Sequence, residues 1–105
     1  MQSTNNWSCG ITKIIDTFSG KWQLNILWTI HKNEGIGFNK LRKNIDGISN
    51  ISLVRSLNIL LKDKYISKKI IGDVPPFQSE YHLTNKAKSL LPLLLSLNDW
   101  GKHSL

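Results

Sequence analysis

The sequence predicts an α+β fold that is mostly helical, with four helices, a β-hairpin and a long final helix in that order. Over most of the chain, apolar residues recur at i, i+3, i+4 and i+7, which is typical of amphipathic helices. Residues 65–83 change to short β-branched and aromatic runs on either side of a loop with two prolines, which favours a hairpin. The length of 105 residues suits one domain.

The first three helices are predicted from their apolar spacing and from the residues that end them. The apolar stripe of the first begins at Ile11, and Ser19–Gly20 ends that helix. The second runs from about Lys21 to His31, and a glycine-containing stretch at 33–37 breaks the chain after it. The third helix is short, and Asp46–Gly47 ends it.

The second half of the chain is predicted as a helix, a hairpin and a helix. Ser49 suits the N-cap of the fourth helix because its hydroxyl can accept a hydrogen bond from an orphan backbone amide. The strands of the hairpin are predicted at 65–71 and 79–83. Thr84 is the predicted cap of the last helix.

This order of elements predicts a winged helix-turn-helix with a β-hairpin wing. The terminal helices are expected to be dimerisation helices, because of the surplus apolar residues of the last helix. Gly47 lies between the third and fourth helices, where the turn of a helix-turn-helix requires a small residue. We expect residues 1–8 to form a flexible N-terminal arm. Residues 9–105 are expected to form a single DNA-binding and dimerisation domain.

The charge of the chain favours a polyanionic partner. Fourteen Lys and Arg residues against seven Asp and Glu residues leave a formal charge of +7, and such an excess attracts nucleic acid or an acidic membrane surface. Between Lys40 and Lys69 there are eight basic and two acidic residues. This excess coincides with the third helix, the fourth helix and the wing, which favours double-stranded DNA.

Other function classes are disfavoured by what the sequence lacks. It has no phosphate-binding glycine loop, nucleophile elbow or plausible carboxylate pair, so no enzyme is expected. A single cysteine and three scattered histidines predict neither a metal site nor a cofactor. No apolar stretch approaches the roughly 18 residues of a membrane span, so a cytoplasmic protein without a membrane partner is expected.

The N-terminal end of the fourth helix is expected to read bases, because this end of a recognition helix enters the major groove. Arg55 can bond to guanine O6 and N7, and Asn50 can pair with adenine or simply solvate the helix start. Ile51 can touch a thymine methyl group or pack under the third helix. Ser49 fits a cap better than a base contact. The candidate DNA contacts are Lys21, Lys40, Ser49, Asn50, Ile51, Ser52, Arg55, Ser56, Lys68 and Lys69.

Short motifs occur in a fixed order along nearly the whole chain. They are Cys9, Gly20-Lys21-Trp22, Phe38 with Leu41, Gly47-Ile48-Ser49, Leu53, Leu57, Leu60, Pro75-Pro76, Glu80-Tyr81, Leu83-Thr84 and Trp100-Gly101. In this order they resemble the HxlR-type regulators, winged-helix transcription factors of bacteria and archaea that are related to the MarR group. The resemblance implies homodimers that bind operator DNA. The chain departs from the family pattern with Gly10 instead of proline, Ile51 instead of a basic residue, and Lys64 instead of glycine.

The resemblance also implies a sensing role for Cys9, because in several branches of the family this cysteine senses oxidants or electrophiles. If Ser8 caps the first helix, Cys9 lies in its first turn, where the helix dipole lowers the pKa of a thiol. The alternative is an inert, half-buried residue near Trp7. The sequence does not define a small-molecule effector.

The last helix carries apolar residues on more than one face, although one chain provides only one core. A second copy would cover the surplus face. Two-fold symmetry would then set two recognition helices about 34–36 Å apart on a palindromic operator. The expected interface residues are Ile11, Ile15, Leu91, Leu94, Leu95 and Trp100.

The predicted function is therefore a dimeric, sequence-specific transcriptional regulator, with redox or electrophile sensing through Cys9 as a further hypothesis. Two alternatives remain open from the sequence. One is a winged-helix module that binds a protein, and the other is a DNA-binding protein without sequence preference.

Overall fold

The elements follow the predicted order in the computed structural model, which describes residues 9–105. The predicted arm, residues 1–8, lies outside the described residues. The helices are α1 (Gly10–Thr17), α2 (Gln23–Lys32), α3 (Phe38–Asn44), α4 (Asn50–Lys62) and α5 (Asn85–Ser104), and the strands are β1 (Ile66–Ile71) and β2 (Gln78–Leu83). The predicted winged helix-turn-helix, mostly helical with one hairpin, is confirmed. The second helix begins two residues later than expected, because Trp22 is its N-cap.

The core lies where α2, α3 and α4 meet the hairpin. Its largest fully buried side chains are Ile26, Leu27, Ile30, Leu41, Ile45, Leu53 and Leu60. Each such residue contributes roughly 1.5–3 kcal/mol by leaving water. The helix-turn-helix and the wing therefore share one core, and this core fixes the direction in which α4 faces outward.

Two hydroxyls cap the helices at the positions that the sequence predicts. The Ser49 hydroxyl accepts from the backbone amide of Ser52 at 3.1 Å. The Thr84 hydroxyl accepts from the amide of Ala87 at 3.3 Å and donates to the carbonyl of Lys64 at 2.7 Å. A cap of this kind is worth about 1 kcal/mol, and Thr84 also ties the start of α5 to the end of α4.

Helix α4 ends in a Schellman motif centred on Lys64. The amide of Tyr65 donates to the carbonyl of Leu60 at 2.9 Å, and the amide of Lys64 donates to the carbonyl of Leu61 at 3.1 Å. This geometry requires a left-handed residue after the helix, and Lys64 has φ 65°. The position is the one where the family usually has glycine, and the structure gives the physical reason for that preference.

The wing is tied to the helix-turn-helix by a short bridge that the sequence does not predict. Strands β1 and β2 pair antiparallel, with Ile66 opposite Leu83. Ile36, between α2 and α3, then pairs with Tyr81, whose amide donates to the Ile36 carbonyl at 2.9 Å. One bridging residue produces no alternating pattern, so periodicity could not reveal it.

The terminal helices contribute little to this core. None of the eight described residues of α1 is buried, and its attachment is through Phe18, whose ring centroid lies 5.0 Å from that of Tyr65. The radius of gyration is 15.5 Å, against about 13 Å for a compact domain of this length. Helices α1 and α5 thus leave apolar surface outside the protomer. Within the described residues, no helix is both long enough and apolar enough to cross a membrane.

Candidate nucleic-acid interface

The outward face of α4 carries the side chains best placed for a nucleic acid. Ile51, Arg55, Asn58 and Lys62 recur at i, i+4, i+7 and i+11, so they share one face of the helix, and all four are exposed. Ile51 is 64% exposed. Of the two interpretations of Ile51, packing under the third helix is therefore wrong.

Ser56 does not belong to this face. It is buried because it follows Leu53 by three residues and precedes Leu60 by four, which puts all three on the core side of α4. The prediction that Ser56 contacts DNA is wrong for this reason. The leucine spacing carried that signal, and the same spacing turns Asn58 outward, a candidate that the predicted set omitted.

The start of α4 separates capping from recognition. The Ser49 hydroxyl accepts from the Ser52 amide, so Ser49 is the cap that its position predicted. Asn50 is the first residue of the helix and its side chain is exposed. Ser52 is half-buried. Asn50 is therefore the exposed polar side chain of this first turn that can meet a base edge.

The wing brings one of its two predicted lysines beside the recognition helix. Lys68 lines a shallow depression together with Val54 and Asn58 of α4 and Phe38 of α3. Neighbouring residues of a strand point to opposite faces, so Lys69 lies on the other face of the hairpin. Its opposite residue on β2 in the strand register is Glu80. The two lysines therefore occupy different electrostatic surroundings.

Lys21 and Lys40 are exposed at two further points of the surface. The Nζ atom of Lys21 lies 4.8 Å from the centroid of the Trp22 ring. A Cβ atom on Gly47, which has φ 83°, would lie 3.9 Å from Cη2 of Trp22. Lys21 is thus near the turn that precedes α4. Lys40 lies in α3, in a groove that also contains Glu80.

The outer face of the hairpin carries an acidic cluster around His82. The Nδ1 atom of His82 lies 3.4 Å from Oε1 of Glu34, and its Nε2 atom lies 3.4 Å from Oε1 of Glu80. Glu34 also accepts from the amide of Leu83 at 2.8 Å. The carboxylates approach opposite ring nitrogens, and in residues 9–105 no group of three His, Cys, Asp or Glu side chains is arranged to hold a metal ion. The cluster instead joins the α2–α3 loop to the wing.

Cys9 is the N-cap of α1, with φ −66° and ψ 133°, and therefore lies one residue before the first turn, in which the sequence would place it if Ser8 were the cap. Ser8 and Trp7, which entered the predictions about Cys9, lie outside the described residues. The thiol is exposed. The backbone amide of Thr12, and then that of Ile11, lowers the pKa of Cys9, because amide hydrogens at a helix N-terminus stabilise a thiolate.

The expected dimer residues divide into an outward and an inward group. Ile11, Ile15 and Trp100 are 66%, 65% and 59% exposed, and Leu95 is 45% exposed. Leu94 is buried within its own protomer, and Leu91 packs against the core. Assigning Leu94 to the interface was therefore wrong, since its own chain already covers it.

The exposed apolar face of α5 differs from the face that the expected interface residues define. Leu93, Leu97 and Trp100 recur at i, i+4 and i+7 and are 57%, 60% and 59% exposed. We call these three residues the α5 outer face. The many leucines of α5 hide this spacing in the sequence, because they fill the buried and the exposed faces alike.

A helix-turn-helix with a hairpin wing and a basic outward surface defines a winged-helix DNA-binding protein. The chain belongs to the HxlR-like helix-turn-helix family, whose family model matches residues 17–105. This confirms the resemblance that the sequence motifs indicated. The protein is a helix-turn-helix transcriptional regulator, and regulators of this kind are as a class not enzymes.

The relatives of the chain are regulators as well. The protein is 31% identical to a protein assigned as the regulatory protein MalR of Fusobacterium mortiferum, over 99% of this chain and 97% of the relative. It is 34% identical to a helix-turn-helix-type transcriptional regulator of Halalkalibacterium halodurans, over 83% of this chain and 76% of the relative.

Solved structures share the fold. A transcriptional regulator assigned to the MarR family from Porphyromonas gingivalis matches with a TM-score of 0.87 and 29% identity, over 99% of this chain and 100% of the other. The oxidised form of the redox regulator HypR matches with a TM-score of 0.82 over 92% of this chain and 98% of the other. Its 24% identity establishes likeness of fold alone.

Proposed function

We propose that two copies of this chain form a homodimer that binds a palindromic operator through α4 and the wing. The observation that carries the proposal is the outward side of α4, which exposes Asn50, Ile51, Arg55 and Asn58, with Lys68 of the wing beside Asn58. Polar, apolar and basic groups on one outward helix face match the groups at base edges in the major groove. In this proposal, residues 9–105 act as one unit in the cytoplasm.

The charge around α4 supports duplex DNA as the partner. The segment from Lys40 to Lys69 has an excess of six positive charges, and its eight basic side chains are exposed. Each phosphate contact releases condensed counterions and contributes about −0.9 to the slope of log affinity against log salt concentration. Such contacts position a protein on DNA, while base contacts select the sequence.

The terminal helices support a dimer. The α5 outer face and the exposed isoleucines of α1 form apolar surface that the rest of residues 9–105 does not cover. A second copy would bury this surface and relate two α4 helices by a two-fold axis, which matches two half-sites about one DNA turn apart.

The test is a binding selection on random duplex DNA at a stated salt concentration. We expect an enriched sequence with two-fold symmetry, and an R55A variant should lose the preference at one position in each half-site. Binding without any enriched sequence would instead support a non-specific DNA-binding protein. No binding even at low salt would favour a protein-interaction module.

A second candidate function is redox control through Cys9, favoured by the exposure and lowered pKa of its thiol. With one cysteine per chain, the disulfide would join two protomers or one protomer and a small thiol. Hydrogen peroxide would oxidise two thiols to one disulfide and be reduced to two water molecules. We expect peroxide to release the wild-type protein from its operator and to leave C9S bound. Equal release of both proteins would contradict this function.

The state of the Cys9 thiol can be measured separately. Because its pKa is lowered, alkylation by iodoacetamide should accelerate at a lower pH in the folded protein than in the same protein in denaturant. The unfolded chain is the matched control, since it has the same cysteine without the amides of α1. Coincident pH profiles would contradict the lowered pKa.

A further inference from the structure

The exposed face of α4 includes two aliphatic side chains near the start of the helix. Ile51 is 64% exposed and Val54 is 45% exposed. Single apolar residues on a surface are normal and need no special explanation. Their position is what matters, because they lie on the face that the proposed function turns toward DNA, between Asn50 and Arg55.

The spacing of the two side chains fits the spacing of bases. At i and i+3 they are one turn apart, with Cβ atoms about 5–6 Å from each other and about 4.5 Å of rise between them along the axis. Successive bases of one strand are about 3.4 Å apart. Two aliphatic groups in the major groove can therefore meet base edges one or two steps apart.

Thymine presents the matching chemistry in the major groove. Its C5 methyl group is the apolar feature of a base edge there, and aliphatic side chains read it by contact. The polar neighbours have other targets, since Arg55 suits guanine and Asn50 suits adenine. An exposed isoleucine or valine has no hydrogen-bonding group of its own to offer.

We propose that Ile51 and Val54 are specificity-determining residues that select thymine by its methyl group in each half-site. This inference rests on the proposed function, because it requires α4 to lie in the major groove. The operator of this protein is accordingly thymine-rich at the positions under the N-terminal turns of α4.

The experiment replaces each thymine of the selected operator with deoxyuridine, which removes the methyl group and keeps base pairing. Burying a methyl-sized group is worth about 0.8 kcal/mol, which corresponds to roughly a fourfold change in affinity. For wild-type protein, we expect about fourfold weaker binding for a single substitution under Ile51 or Val54. A symmetric pair of substitutions should cost about sixteenfold.

Three variants assign the effect to the side chains. I51A and V54A should bind the thymine operator more weakly, and each should lose its sensitivity to one deoxyuridine position. I59A is the matched control, because Ile59 is 44% exposed on the same helix but closer to its C-terminal end. It should keep the full sensitivity. Thermal melting verifies that all three variants fold.

The outcomes separate the inference from the proposed function. If an operator is enriched but wild-type protein binds thymine and deoxyuridine equally at every position, the inference is wrong and the proposed function stands. The same conclusion follows if I51A and V54A respond to deoxyuridine as wild type does. If no sequence is enriched at all, both fail.

Discussion

Two regions of the molecule use the same aliphatic residues in opposite ways. In α2, Ile26 and Leu27 are 0% and 1% exposed, while in α1, Ile11 and Ile15 are 66% and 65% exposed. Both helices have an apolar stripe of helical period. The difference teaches that a stripe predicts a buried face but does not say whether the same chain or a second copy buries it.

The two regions also differ in what supports them. The helix-turn-helix and the wing share a core and are joined by the Ile36–Tyr81 bridge and by the contacts of His82. Helix α1 is attached mainly at Phe18. We therefore expect changes in the terminal helices to act on assembly, and changes around α4 to act on DNA binding within an intact dimer.

The largest effect is expected from L97E, in the middle of the α5 outer face. A charge there would be buried without a partner in the dimer, so the protein should become a monomer of 12.0 kDa. Operator affinity should fall at least about 100-fold, because two linked half-site contacts become one. Analytical ultracentrifugation and fluorescence anisotropy measure the two changes.

The control for L97E is K102Q, which changes the charge by the same amount at an exposed residue of α5. Lys102 points away from the α5 outer face by helical spacing. This variant should remain dimeric and bind the operator with little change. A dimeric L97E protein with full affinity would contradict the assignment of this face.

The next effect is expected from R55A, which removes the group best suited to guanine. It should lose about 1–3 kcal/mol of operator affinity for each half-site and relax specificity at one position in each. Arg42, the other arginine, is exposed on α3. R42A should weaken binding to every DNA sequence by about the same factor and leave the sequence preference unchanged. Equal loss of specificity in R42A and R55A would contradict the role of Arg55.

A smaller effect should distinguish the two wing lysines. Lys68 adjoins α4, while Lys69 faces the side of Glu80. K68A should reduce the magnitude of the salt slope by about 0.9 for each phosphate that Lys68 neutralises, and K69A should reduce it less. Titrations at several salt concentrations measure both slopes, and a larger change in K69A would reverse the proposed orientation of the wing.

The smallest effect concerns stability alone. Lys64 has φ 65°, a conformation that costs a non-glycine residue roughly 1–2 kcal/mol. Glycine removes this cost, but part of the gain is offset because glycine loses more backbone entropy on folding. K64G should therefore raise the free energy of unfolding by about 0.5–1 kcal/mol. K62G, in the last turn of α4, should lower it by about 1 kcal/mol. Urea denaturation compares them.

The fold was predictable where a single local preference, such as a helix cap or a glycine turn, sets the boundary of an element. Ser49 and Thr84 cap their helices as expected, and Gly47 forms its turn with positive φ. The bridge at Ile36 was not predictable, because a single residue pair has no period. The elements that form the site were predictable, and the spacing of Ser56 from Leu53 and Leu60 already indicated that it faces the core. Which leucines of α5 stay exposed was not predictable, because leucines fill its buried and exposed faces alike.

The central claim is that two α4 helices bind one face of a duplex about one turn apart, and spacing tests it most directly. Five extra base pairs between the half-sites of the selected operator turn one half-site by about half a turn. We predict that affinity then falls to that of a single half-site. Ten extra base pairs would return both half-sites to the same face of the duplex but leave them farther apart than in the selected operator. Unchanged affinity after the five-base-pair insertion would contradict the claim.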